Sequence, residues 1–468
     1  MMKLTTNIIL IISIIGLFSC TNKTSITSGK LITKDNEVTK QINFVGQWMG
    51  EGNRELLIRD YVRQYEFLNQ DVSVNLMFPE DIGFNRYSTI ETHQFIGNVL
   101  NSDNPEWDVL LLNDDVEGLS NYMKNKNWAS DNLVDFSQYP ELTNNTIPEI
   151  DLVKIKKRWG GIIPGPFLEG QYWALWTNKN VTQKLGIEVK QYGMTFDDFL
   201  GYVKAVDNYN KNNTDQIKPF LEASDWTTIF SLAIGLYISN FDDLDELMDD
   251  NVSEKKLQFW HKTLKSLEEI AAYNFVDDDW NGLAWNDIKL GLLNEECLFF
   301  SNGSWMYNIW LQEDPSKVMN CVPNEFPTYK QTILYPTTYP IMWGVLKKSP
   351  NKEHAIKFLL DMTKPTMAEN WVRNTKCPTG IKGSLADANF ATDQYEAFST
   401  HLQKTYGSNT YKMSENSSFI FGSEFSNENN YFLEVISGDI SADQAMELIQ
   451  SNLNNLLTLE TTTSADIN

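Results

Sequence analysis

At 468 residues, with 42% hydrophobic and 21% charged side chains, the chain is long enough for two folded lobes and too apolar to be disordered. Its net charge of −24 excludes nucleic acid, whose phosphates an acidic surface repels, and offers no attraction to an anionic bilayer. Aromatic residues make up 12% of the chain, with 14 tryptophans, enough to fill a core and still furnish a recognition surface.

The N-terminus reads as an export signal over residues 1–20. Lys3 supplies the positive start, and the apolar run Ile8 to Phe18 follows. The run is far shorter than the about 20 residues that span a bilayer. The sequence "LFSC" (Leu17 to Cys20) resembles a bacterial lipobox, in which Cys20 becomes the lipidated first residue of the mature chain. Cleavage near Ser19 by an ordinary signal peptidase is the alternative. Acyl chains on Cys20 would anchor firmly, since each buried methylene contributes about 0.8 kcal/mol. Residues 21–40 are polar, lack aromatics and have no helical period, as a flexible tether does.

The folded part opens with an apolar strand, Ile42 to Val45, and a glycine-rich loop. Leu57, Tyr61, Tyr65 and Leu68 then recur at helical spacing, and Val72, Val74 and Leu76 alternate as in a strand. This is a βαβ unit. "EWDVLLLND" (106 to 114) predicts a buried strand. In α/β sheets ligands gather at the carboxyl ends of strands, so the loops at 46–52 and 113–115 are site candidates. Tyr172 to Trp176 form a further strand. Thr195 is an N-cap with Asp197 and Asp198 in the first helical turn. Asp225 and Trp226 precede an apolar helix. Ser304 sits where it can cap the helix that carries Trp305 and Trp310. Ile341 to Leu346 predict a strand, followed by a helix with Ala355, Ile356, Leu359 and Leu360 inside. Ser441 caps a final amphipathic helix.

Cys297, Cys321 and Cys377 form no CxxC pair, and buried free thiols are the expectation. No P-loop, GxGxxG, HExxH or GxSxG is present, and the histidines have no metal spacing. Nothing calls for a cofactor or a metal. Carboxylates are numerous, so composition alone leaves a glycosidase pair open.

Several separated segments, in one order, resemble the extracellular solute-binding proteins of ABC transporters, in the group with the maltose- and oligosaccharide-binding proteins. Besides the lipobox they are "INFVGQWMGEGNRELLIRDYVRQYE", "PEWDVLLLND", "YWALWTNKNVTQKLGI", "MTFDDFLGYVKAV", "LFFSNGSWMYNIW", "WGVLKKSPNKEHAIKFLLDMT" and "SADQAMELIQSNLNNLL". The resemblance implies a periplasmic-binding-protein-like α/β fold, with two lobes joined by a hinge and a ligand cleft between them. The expected N-lobe is 41–114 plus 288–340, and the expected C-lobe is 115–287 plus 341–468. The sequence departs from the family's pattern at "TTYPIMW" (337 to 343), where many relatives carry a Gly-Gly pair, and at "GPFLEGQYW". Both departures alter the cleft wall, so the likeness implies no particular sugar.

The expected function is capture of a small solute, a carbohydrate, and delivery to an ABC permease served by a separate ATPase. The protein would be a monomer that performs no chemistry and touches a membrane only through its lipid. It would stand in the cell envelope, periplasmic or on the cell surface. Sugar rings pack apolar C–H faces on aromatic planes, while their hydroxyls bond to Asp, Glu and Asn. The candidate ligand residues are therefore Trp48, Glu51, Asp114, Tyr172, Asp225, Trp226, Trp305, Tyr339 and Trp343. Trp310 lies five residues beyond Trp305, on another side of the helix, and is expected in the core. The competing readings are a lipid-anchored glycoside hydrolase or lyase, and a surface glycan-binding lipoprotein of mainly helical fold.

Overall fold

The computed structural model describes residues 40–225, 227–242, 253–276, 279–330, 338–383, 393–406 and 431–452. Cys20 and Trp226 lie outside them. Among the described residues the strands are β1 (Lys40–Val45), β2 (Val72–Met77), β3 (Val109–Leu111), β4 (Trp173–Asn178), β5 (Lys218–Phe220), β6 (Cys297–Gly303), β7 (Cys321–Asn324) and β8 (Trp343–Val345). They form two four-stranded sheets, ordered β2-β1-β3-β8 and β5-β6-β4-β7.

The first sheet begins with the βαβ unit that the spacing predicts. β1 and β2 pair in parallel, with Ile42 opposite Val74. The helix Asn53–Leu68 crosses between them and buries Leu57, Ile58, Tyr61, Val62 and Tyr65 on one face. Leu68, the last residue of the expected stripe, is 72% exposed because the helix ends there. β3 joins β1 in parallel, and β8 returns antiparallel to β3.

In the second sheet β4 lies between β6 and β7 and is antiparallel to both, while β5 is parallel to β6. β4 is covered on both faces: Leu175 packs in one apolar cluster, and Tyr172, Ala174 and Trp176 in another. The helix Phe196–Asn212 starts at Thr195 with a reciprocal cap to Asp198. Ser441 and Gln444 cap the last helix, 442–452, in the same reciprocal way. Cys297, Cys321 and Cys377 are buried and free.

The apolar cores divide the chain differently from the expected lobe boundaries. Residues 42–168 and 339–381 share one core around the first sheet. Segments from 172 to 326, with the helices Gln394–Tyr406, Tyr431–Ile436 and 442–452, pack around the second. The segment 115–168 therefore belongs with the first sheet, not the second. Residues 288–326 belong with the second, because β6 and β7 both pair with β4. Residues 341–381 return to the first, because β8 pairs with β3.

The chain crosses between lobes near residues 169–171 and 338. There Gln171 and Thr338 exchange backbone hydrogen bonds of 2.8 and 2.9 Å. The Gly170 N–H adds a bond of 2.7 Å to the Pro378 carbonyl. Short crossings bonded side by side are the geometry of a hinge.

Candidate ligand-binding cleft

A cleft of about 1130 Å³ opens between the two lobes. Its first-lobe wall is built from the loops that leave the carboxyl ends of β1 and β3. Three residues there hold left-handed backbone: Trp48 (φ 75°), Asn113 (φ 53°) and Asp114 (φ 56°). Such conformations cost about 1–3 kcal/mol each and concentrate at functional sites.

This wall is an ion-pair lattice. Arg54 bonds Glu51 at 2.5 Å and also pairs with Glu169. Arg86 bonds the same Glu51 at 2.8 Å, donates to the Met49 carbonyl at 3.0 Å, and lies 3.5 Å from Glu80. It also donates to the Tyr87 hydroxyl at 2.5 Å. Arg158 holds Asp114 at 2.9 Å and reaches Glu117. Burial alone would lower the Arg158 pKa, but these two carboxylates hold it above its usual range. Asp114 also accepts the Ile341 N–H at 3.2 Å, which ties β8's approach to the loop after β3.

Several buried polar atoms of this wall have no partner among the described residues: Gln47 Oε1, Arg54 Nε, Arg86 Nη1, Glu169 Oε2 and Tyr339 Oη. Leaving such an atom unsatisfied costs about 1–3 kcal/mol, so bonding capacity is left over here.

The second-lobe wall is aromatic. Trp305 is half-buried and stands at the start of the helix Met306–Glu313. Its ring meets Trp173 edge-on, with centroids 5.4 Å apart. Gly303 makes this pose possible, because a Cβ there would lie 2.1 Å from the indole. Ser304 does not cap the helix as expected; the cap position falls on Trp305, without a side-chain bond. Ser304 is instead buried against β4, its N–H donating to the Tyr172 carbonyl at 2.8 Å. Trp310 is fully buried, edge-on to Trp176 at 5.2 Å, with its Nε1–H donating to the Lys289 carbonyl at 2.8 Å. Trp285 joins Trp305 in lining the cleft, and Asp225 accepts the Trp285 N–H at 2.6 Å.

Of the candidates read from the sequence, Glu51, Asp114, Asp225, Trp305 and Tyr339 line the cleft together. Trp48 is also in the wall, but only 2% of it is exposed. It packs on Trp343 and Trp371, with the Arg54 guanidinium 4.6 Å above its ring, and so supports Arg54 rather than offering an open face.

Two candidates are core residues. Tyr172 is 1% exposed and packs against Trp176 and Phe398. The alternation along β4 gives no ligand-facing set at that point, because both faces of the strand are covered. Trp343 is fully buried between Phe44 and Trp48, and its Nε1–H donates to the Val45 carbonyl at 3.1 Å. Its neighbour Met342 lines the cleft instead.

The sequence reading missed Arg54, Arg86, Tyr87, Glu169 and Trp285, all of which line the cleft. Trp285 and Tyr87 carried a signal, as aromatics beside helix starts. Arg54, Arg86 and Glu169 did not, since a charged residue looks the same in sequence whether or not the fold brings it a distant partner.

The sequence model of the bacterial extracellular solute-binding proteins matches residues 87–398. The chain belongs to that family. No curated protein matches it by sequence. Solved structures share its fold at low identity. Maltose-bound MalE3 of T. maritima is 14% identical with a TM-score of 0.63, over 89% of this chain and 100% of that one. Apo RafE from Streptococcus pneumoniae is 14% identical with a TM-score of 0.64, over 90% and 99%. A sugar transporter protein from Bacillus licheniformis in complex with stachyose is 13% identical with a TM-score of 0.58, over 88% and 98%. As an extracellular solute-binding protein, this chain acts outside the cytoplasm. Its two sheets, hinge crossings and inter-lobe cleft are the parts such a protein needs to enclose a solute.

Proposed function

We propose that this solute-binding protein captures a neutral oligosaccharide and passes it to an ABC permease driven by a separate ATPase. The supporting observation is the pairing of two unlike walls. One offers half-buried Trp305 and Trp285; the other offers buried polar atoms with unused bonding capacity. Aromatic planes suit sugar C–H faces, and spare donors and acceptors suit hydroxyls. Glu51, Glu169 and Asp114, the three carboxylates buried deepest in the lattice, are matched in number by Arg54, Arg86 and Arg158, which favours an uncharged solute. The volume of about 1130 Å³ exceeds that of most small-molecule pockets and suits several linked rings. Maltose and stachyose, named with two of the structural relatives, are solutes of this kind.

Trp305, Trp285, Glu51, Asp114, Asp225 and Tyr339 are the proposed ligand residues. Lobe closure about the hinge is the mechanism, with no bond made or broken. A hydrolase needs a carboxyl group poised to protonate a glycosidic oxygen. Glu222 is pushed up to about 8 by burial, yet it is spent on the backbone N–H groups of Ala223, Thr228 and Ile229 and lies outside the cleft lining. We further propose a monomer tethered through lipidated Cys20.

A thermal-shift screen tests the ligand class. Neutral oligosaccharides should raise the melting temperature, by about 2.7 kcal/mol of added stability at a hundredfold excess over Kd. If amino acids, peptides or cations shift it and no saccharide does, the carbohydrate reading is wrong. Mass spectrometry of the membrane-bound protein tests the anchor: Cys20→Ala should lose the acyl mass and release the protein.

A further inference from the structure

One corner of the first lobe is inserted into the second. The helix Pro365–Thr375 packs in the first core, through Met367, Ala368, Trp371 and Val372. It ends at Lys376, which turns left-handed (φ 58°) and points its ammonium at the second lobe. There Lys376 bonds Asp393 at 2.9 Å and Glu396 at 2.6 Å. The Lys376 side chain is 11% exposed and that of Glu396 only 2%. The helix carrying Glu396 is anchored in the second lobe by Tyr395, Phe398 and Leu402. Removing one member of such a buried pair leaves an uncompensated charge, so this junction resists separation.

The same corner grips the helix that begins at Trp305. Asn308 is 1% exposed, and its Nδ2 donates to the Thr375 carbonyl at 2.8 Å. Its backbone N–H bonds the Trp305 carbonyl at 3.0 Å. Asn308 is thus one link between the ligand-lining indole and the first lobe. Gly52, at the start of the first-lobe helix, sits against the same residue; a Cβ there would lie 3.2 Å from the Asn308 carbonyl oxygen. Trp285 and Asp225 differ, since their hydrogen bond joins a second-lobe loop to the first residue of the second-lobe helix Trp285–Ile288.

We propose that Asn308 and Lys376 are positioning residues. They form a fixed pivot that holds Trp305 against the first lobe, so the indole is part of the binding surface before the lobes close. Solute lands on Trp305 and the first-lobe lattice, and closure then brings Asp225 and Trp285 over it. This rests on the cleft being the solute site. Pre-placing the indole removes a reorganisation cost from the encounter, so loss of the pivot reduces the binding-competent fraction.

The test uses the full chain labelled with fluorotryptophan, with the Trp305 and Trp285 resonances assigned by Trp→Phe variants. Two variants break the pivot: Asn308→Ala, and the triple variant K376M/D393N/E396Q, which removes the ammonium and both of its carboxylates together and so leaves no orphaned charge. In each, without any solute, the Trp305 fluorine resonance should shift or broaden while that of Trp285 stays. Lys376→Arg, which keeps both ion pairs, should restore the wild-type spectrum. Stopped-flow mixing with maltose, raffinose and stachyose supplies the second readout. For any probe the wild type binds, the association rate should fall about tenfold in both variants, with the dissociation rate nearly unchanged. An unmoved Trp305 resonance in both variants would overturn the pivot. If no probe binds the wild type, the sugar reading fails while the fluorine spectra still decide the pivot.

Discussion

The two walls of the cleft are made from opposite materials. The first-lobe wall is charged, interlocked and strained: Arg54 and Arg86 share Glu51, Arg158 holds Asp114, and three left-handed residues shape the loops. The second-lobe wall is aromatic and carries half-buried Trp305 and Trp285. The difference teaches a division of labour. A lattice with its charges already paired cannot reward a charged ligand strongly, but it can hold hydroxyl-bonding atoms in fixed positions. An aromatic face supplies contact area with little rotamer entropy to lose.

Breaking the lattice should produce the largest effect. Arg54→Met leaves Glu169, which is 0% exposed, without its guanidinium. Stability should fall by about 3–5 kcal/mol in urea unfolding. A loss under about 1 kcal/mol would mean that the pair is not the keystone of this wall.

Breaking the aromatic wall should do the reverse. Trp305→Ala should abolish saccharide-induced thermal stabilisation while the apo protein loses about 1 kcal/mol or less. A large apo loss would make Trp305 a core residue. Gly303→Ala gives a subtler version of the same test. The new Cβ would sit 2.1 Å from the indole and must displace it. Saccharide affinity should weaken about tenfold, which is about 1.4 kcal/mol, by titration calorimetry.

A separate test, away from both walls, concerns pH. Burial raises Glu222 from 4.5 to about 8, although three backbone N–H groups favour its charged form. A raised carboxylate pKa means that the native state holds the proton more tightly than the unfolded chain. This contribution is fully present below about 4.5 and is lost as pH rises toward about 8. Glu222→Gln should flatten that part of the stability profile in denaturant titrations run at several pH values. An unchanged slope would show that Glu222 does not set it.

Local features of this chain were legible in the sequence and non-local ones were not. The βαβ unit, the Thr195 and Ser441 caps and the buried Trp310 follow from periodicity and capping chemistry. Trp305 was legible because a Gly-Ser pair before a helix start marks a turn. Tyr172 and Trp343 misled because alternation separates two faces of a strand but does not say whether both are covered. Strand pairing is equally non-local. Nothing near β8 reveals that it returns to β3, so the lobe boundaries came out wrong. The Arg54–Glu169 pair joins residues that only the tertiary fold brings together.

The central claim is that the cleft takes a neutral oligosaccharide on Trp305. Titration calorimetry of the wild type and Trp305→Ala with neutral oligosaccharides, alongside their uronic-acid and amino-sugar counterparts, tests it most directly. A neutral saccharide should fill one saturable site in the wild type, the charged counterparts should bind more weakly, and the variant should give no measurable heat. Binding that prefers a charged solute, or that survives unchanged in Trp305→Ala, would contradict it.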